Sequence, residues 1–164
     1  MQMVFRLILV SVVVFALHSC TQNNTCLTPK SVALRAGFYK TINDTTTKDS
    51  LLTNANIIAD QSVQFYGINF KQSSKFSMTL SGLSNTTRLF FQSDSTSFDP
   101  LTFDTIDVNY TTQLNFISVA CGYENYYTLT SIQSTHNTID TVKLSQSLVD
   151  GDVNKEHIQI VLKN

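Results

Sequence analysis

Carboxylates are where chemistry could begin in this chain. The stretch DGDVNKE places Asp150, Asp152, Asn154 and Glu156 at alternate positions. Side-chain oxygens repeated in this way offer the ligands that calcium, a hard cation, takes. An EF-hand loop wants Gly at its sixth place and a bidentate Glu at its twelfth, where Lys155 and Val161 stand, so a polar hairpin turn around Asp150-Gly151 competes with a metal site. A second acidic run, DSTSFDPLTFDTID, contains Asp94, Asp99, Asp104 and Asp107. Two carboxylates at the right separation can act as general acid and base, the chemistry of a glycan hydrolase. Asp is equally a turn and strand-end residue, and Asp99-Pro100 reads as a turn.

Other residue types give weaker patterns. Asp49-Ser50-Leu51, Asp104-Thr105-Ile106 and Asp140-Thr141-Val142 share an order, Asp, hydroxyl, apolar, that resembles the O-glycosylation acceptor of some Bacteroidota envelope proteins. The same order arises wherever Asp opens a strand and a hydroxyl residue continues it. His136 and His157 lack a Gly-x-Ser-x-Gly elbow to serve, and both read as exposed residues at strand ends. Tyr123, Tyr126 and Tyr127 surround Glu124 and Asn125, either as a flat hydroxyl-bearing site for sugar or peptide or as packing over strand ends. No catalytic residue is singled out, and no cofactor is implied.

What would position these groups begins with a leader. Arg6, the apolar run Leu7–Leu17 and Ser19 form a secretory signal peptide over residues 1–19. Leu17-His18-Ser19-Cys20 resembles a bacterial lipobox, with His18 where that motif has a small residue. Cys20 is therefore expected to carry a lipid and to open the mature chain, with residues 20–30 as a tether. The protein would then be anchored to a membrane rather than spanning it. No acidic cluster follows Cys20, so the anchor is expected to face the periplasm, from the outer membrane ahead of the inner. Loss of Arg6 with the leader leaves a net charge of −2 with neutral histidines, too little basic charge for a nucleic-acid partner.

Two cysteines remain, Cys26 and Cys121. An even pair in an oxidising compartment is most simply a disulfide. A metal thiolate pair would need further ligands and a reactive thiol an activating neighbour, neither of which the sequence supplies.

From residue 31 onward apolar residues recur at every second position, the period of a strand with one face buried. Val32, Leu34, Ala36 and Phe38 form one such set, Phe76, Met78 and Leu80 another, and Ile158, Ile160 and Leu162 a third. Segments such as TTRLFFQS, TIDVNYTT, NYYTLTSIQS and TIDTVKLS add β-branched and aromatic runs bounded by turn residues. LNFISVACG shifts its apolar phase, which predicts either a bulge or, by preference, a central strand buried on both faces. With no helical stripe, the expectation is an all-β chain of about eight or nine strands, folded as one antiparallel, immunoglobulin-like β-sandwich over residues 31–164. Thr, Ser, Asn and Gln cover the solvent faces, since charged residues make up only 14% of the chain. Such edges are poorly protected, so tether or loop is expected to cover one.

The succession of lipobox, second cysteine, AGFY, KFSMTLSG, FDTIDVNY, ISVACGY, STHNTID and NKEHIQIVL resembles an uncharacterised family of small Bacteroidota lipoproteins, a single domain of unknown function spanning the mature chain. The resemblance implies an anchored β-domain of the cell envelope. Sheets offer faces and edges rather than deep pockets, so a binding or structural module for an envelope protein is expected. A carboxylate hydrolase and a calcium- or glycan-binding module are the rivals, and the oligomeric state is left open.

Overall fold

The computed structural model describes Cys26 and residues 32–43, 46–52, 54–60, 73–97 and 99–164. The expected leader, Cys20 and the expected tether apart from Cys26 lie outside the described residues. Within them the chain forms ten strands: β1 (Leu34–Ile42), β2 (Thr46–Asp49), β3 (Asn56–Ala59), β4 (Lys75–Met78), β5 (Thr86–Gln92), β6 (Phe103–Ser118), β7 (Gly122–Ser134), β8 (Ile139–Leu144), β9 (Leu148–Val149) and β10 (Ile158–Leu162). A single 3-10 turn, Pro100–Thr102, leads into β6 and is capped by Asp99, whose carboxylate accepts from the Leu101 N–H.

One sheet runs β2-β1-β10-β8, with β4 paired to the edge of β1 that β2 also uses. The other runs β3-β5-β6-β7-β9. Alternation explains how they meet. Leu34, Ala36 and Phe38 of β1, Phe76 and Met78 of β4, and Ile158 and Ile160 of β10 are buried against Leu89 and Phe91 of β5 and Ile106, Val108 and Tyr110 of β6. Phe38 and Phe91 stack across the gap at 5.2 Å between centroids. Two sheets closed over a shared core make a β-sandwich, the architecture of immunoglobulin domains, with its own strand order.

Two expectations need correction. The sandwich is not wholly antiparallel, because β1 and β10 pair in parallel from Ala36 with Ile158 to Lys40 with Leu162. A parallel pair needs a long crossover, which the whole chain between first and last strand provides. Nor is LNFISVACG a central strand buried on both faces. Leu114 and Phe116 are exposed, and the pairing slips between Phe116 and Ser118, so the phase shift is a bulge. Two-sided burial belongs instead to β10, flanked by β1 and β8, where Val161 is buried along with Ile160 and Leu162.

Candidate functional site

The acidic run 94–107 does not form a catalytic pair. Asp104 and Asp107 lie three residues apart on β6 and therefore on opposite faces of the sheet. Asp107 points outward and holds Arg88 through two bonds, at 2.6 and 2.8 Å. Asp94 accepts from the amide and hydroxyl of Thr96, and Asp99 caps the 3-10 turn. Asp104 is 2% exposed. Its Oδ1 accepts from the Thr135 hydroxyl and the Asn137 N–H, and its Oδ2 from the N–H and hydroxyl of Thr138 at 2.7 Å each and from the Ile139 N–H at 3.1 Å. Burial pushes this carboxyl up, but the hydrogen bonds from Thr135, Thr138 and Asn137 outweigh it and hold it below its ordinary value. Asp104 ties the β7–β8 turn to β6 and has no capacity left for a substrate.

The loop between β9 and β10 likewise distributes its oxygens. Asp150 pairs with Lys155 at 2.5 Å, and Asp152 accepts from the Asn154 N–H. Glu156 turns to the outer face of β1, where it accepts from the Tyr39 hydroxyl at 2.6 Å and faces Lys75 at 3.7 Å. A Cβ on Gly37 would lie 2.5 Å from Glu156 Oε2, so glycine there lets the glutamate lie flat on the strand. Asp150, Asp152, Asn154 and Glu156 are thus not gathered around one point. Among the described residues no three His, Cys, Asp or Glu side chains are placed to hold a metal ion. The loop does wall a cleft of about 440 Å³ with Arg35, Lys75 and Ser77.

Of the hydroxyl positions, Ser50 is buried, which withdraws it as a glycosylation acceptor in the folded chain. Thr105 and Thr141 are half-buried. His136 is exposed, as expected, but His157 is not. It is wholly buried, its Nδ1 accepting from the Arg35 backbone N–H at 3.0 Å while its backbone N–H donates to the Arg35 carbonyl at 2.9 Å. Burial first, then the Arg35 charge, lowers its pKa. Tyr127 is buried with its hydroxyl on the Leu80 carbonyl, whereas Tyr123 is exposed.

The most distinctive feature is the hairpin of β6 and β7. β5 pairs with β6 only as far as Asn109, and β9 meets β7 only at Tyr127 and Thr128. Beyond these points, among the described residues, the two strands pair with each other alone, forming an arm that closes through Ser118 and Gly122. Gly122 turns the corner with φ +74°, a left-handed conformation suited to glycine. Tyr110 and Tyr127 mark the base of the arm, their hydroxyls on the carbonyls of Ser81 and Leu80. Leu114, Phe116 and Tyr123 continue the face on which those tyrosines are buried, but past the end of the facing sheet. They are 62%, 58% and 65% exposed, and Val119 at the turn is 89% exposed. Phe116 and Tyr123 lie opposite each other, with ring centroids 5.2 Å apart. At the tip, Cys121 is joined by a disulfide to Cys26, with their Cα atoms 4.8 Å apart.

A family model described as a family of unknown function, DUF6452, matches residues 40–162. The chain belongs to that family. No curated protein and no solved structure matches it. The DUF6452 match takes in Asp104, the whole β6–β7 arm and Cys121, and begins after Cys26. It agrees with a domain of unknown function and assigns no activity.

Asp104, which in sequence reads as a turn or strand-end residue, is buried. The signal for this was present: Asp104 is in phase with Ile106, Val108 and Tyr110, so a strand that buries those must bury Asp104 too. The exposure of the arm had no such signal, because local pattern does not record where a facing sheet stops.

Proposed function

We propose that this DUF6452 protein is a lipid-anchored, periplasm-facing component of the cell envelope, held at the outer membrane through Cys20, and that it binds a protein partner along an open strand edge. The leader over residues 1–19 with Ser19-Cys20 supports the anchor. The Cys26–Cys121 disulfide fits an oxidising compartment beyond the cytoplasm.

The observation that carries the binding function is a pair of open edges. Among the described residues β8 is paired by β10 alone, and β7 beyond Leu129 by β6 alone. A groove lined by Ile132, Ser134, Thr141 and Val142 separates them. An extended segment of a partner can add to such an edge by main-chain hydrogen bonds, with alternate side chains in the groove for specificity. A photo-crosslinking residue at Ile132 or Thr141 should capture one partner of discrete mass in intact cells, while the same residue at Phe90, on the outer face of β5, captures none. Equal labelling from both places, or none from the groove, refutes the assignment.

A further inference from the structure

We propose that the apolar tip of the β6–β7 arm is a bilayer-contact element, seated in the headgroup region of the membrane that holds the Cys20 lipid. Leu114, Phe116, Val119 and Tyr123 project there beyond the sandwich. Leu83, fully exposed, follows Gly82, which packs on Asn125 of the arm. From Thr111 to Tyr123 the chain carries no charged residue. An uncharged, aromatic-bearing tip matches the interface between headgroups and acyl chains, where tyrosine concentrates.

What selects a lipid surface over other occupants is reach, and this step rests on the anchoring proposed above. Cys26 follows Cys20 by six residues, which fully extended span at most about 20 Å. The disulfide holds the Cys121 Cα 4.8 Å from that of Cys26, so the tip stays within roughly 25 Å of the anchor. The opposite end of the hairpin, at the β7–β8 turn, is roughly 40 Å from the tip along β7 at the usual rise per strand residue. A lipid at Cys20 therefore brings the tip, rather than the far end, to the bilayer. Inserting Val119 and its neighbours adds a second contact that fixes the orientation a single lipid attachment would leave free. The turn at Thr135–Asn137 and the start of β8, with the open groove, then face away from the membrane.

The chain contains no tryptophan, so one introduced residue is a clean reporter. The test uses full-length, natively processed protein carrying Val119→Trp, Tyr123→Trp or His136→Trp, reconstituted into vesicles of phosphatidylethanolamine and phosphatidylglycerol with brominated acyl chains. In the Val119→Trp and Tyr123→Trp proteins the emission should shift to the blue and lose intensity through bromine quenching, independently of salt. His136→Trp should show neither change. If the Val119→Trp and Tyr123→Trp proteins float with the vesicles yet keep their aqueous emission, the anchor stands and the bilayer contact is overturned. The contact is also overturned if their emission is already blue-shifted before vesicles are added, since protein then covers the tip. Protein that carries no lipid and fails to float overturns the anchor and the contact together.

Discussion

Replacing Asp104 by asparagine keeps the shape of the side chain and removes its charge. An asparagine oxygen directed at Thr135 and Asn137 would satisfy those two donors, but its NH2 would then face the backbone N–H groups of Thr138 and Ile139. The Thr138 hydroxyl can rotate to accept; the two N–H groups cannot. Each donor left unpaired in a buried setting costs about 1–3 kcal/mol. With the lost charge-assisted bonds the total comes to roughly 3–5 kcal/mol. For a domain of this size that corresponds to a fall of roughly 10–20 °C in Tm. The sign of the pH dependence follows from the lowered pKa. Asp104 stabilises the fold fully above its unfolded value near 3.8, and that contribution is lost as pH falls through the lower folded value. Thermal melts of wild type and Asp104→Asn should therefore differ widely at pH 7 and converge only in strongly acid solution. A variant melting within about 2 °C of wild type at pH 7 would refute the structural role, as that is well under 1 kcal/mol here.

Removing the disulfide with Cys26→Ala and Cys121→Ala frees a 95-residue loop and should lower stability by about 4–5 kcal/mol in the chain-entropy model, read as a shift in urea midpoint. Because burial lowers the His157 pKa from 6.5, wild-type stability should fall as pH drops below that value and through the folded one, and His157→Gln should flatten the slope in that window; an unchanged slope in the variant assigns it to other groups. Thermal melts with and without a calcium chelator should coincide, since Asp150 is held by Lys155 and Glu156 by Tyr39; a drop on chelation would show a metal site.

Much of the fold was legible because strand period and burial agree. Leu34, Ala36, Phe38, Phe76, Met78, Ile158, Ile160 and Leu162 all face the core as their alternation requires. What misled was tertiary context. In LNFISVACG a strand outruns its facing sheet, so apolar residues that normally mark burial stand in solvent. His157 and Val161 alternate as outward residues yet are buried, because β10 is an inner strand and the pattern along one strand does not say what lies beside it. The 150–156 carboxylates looked like a calcium loop because spacing fixes which oxygens are near in sequence. Their direction is decided by their partners: Lys155 and Asn154 within the loop take Asp150 and Asp152, while Glu156 is drawn to Tyr39 on β1 and Lys75 on β4, far away in sequence. The disulfide was legible in the even pair of cysteines, and its structural consequence, Cys26 held beside an apolar tip, needed the hairpin's geometry.

The most direct measurement is the mass and partition of native protein beside its Cys20→Ser variant. Wild type should begin at Cys20, carry diacylglycerol and acyl mass, and pellet with envelopes, while the variant carries no lipid mass and is released on lysis. A wild-type protein without lipid, or a variant that pellets as firmly as wild type, would contradict the anchored orientation on which the placement of tip and groove depends.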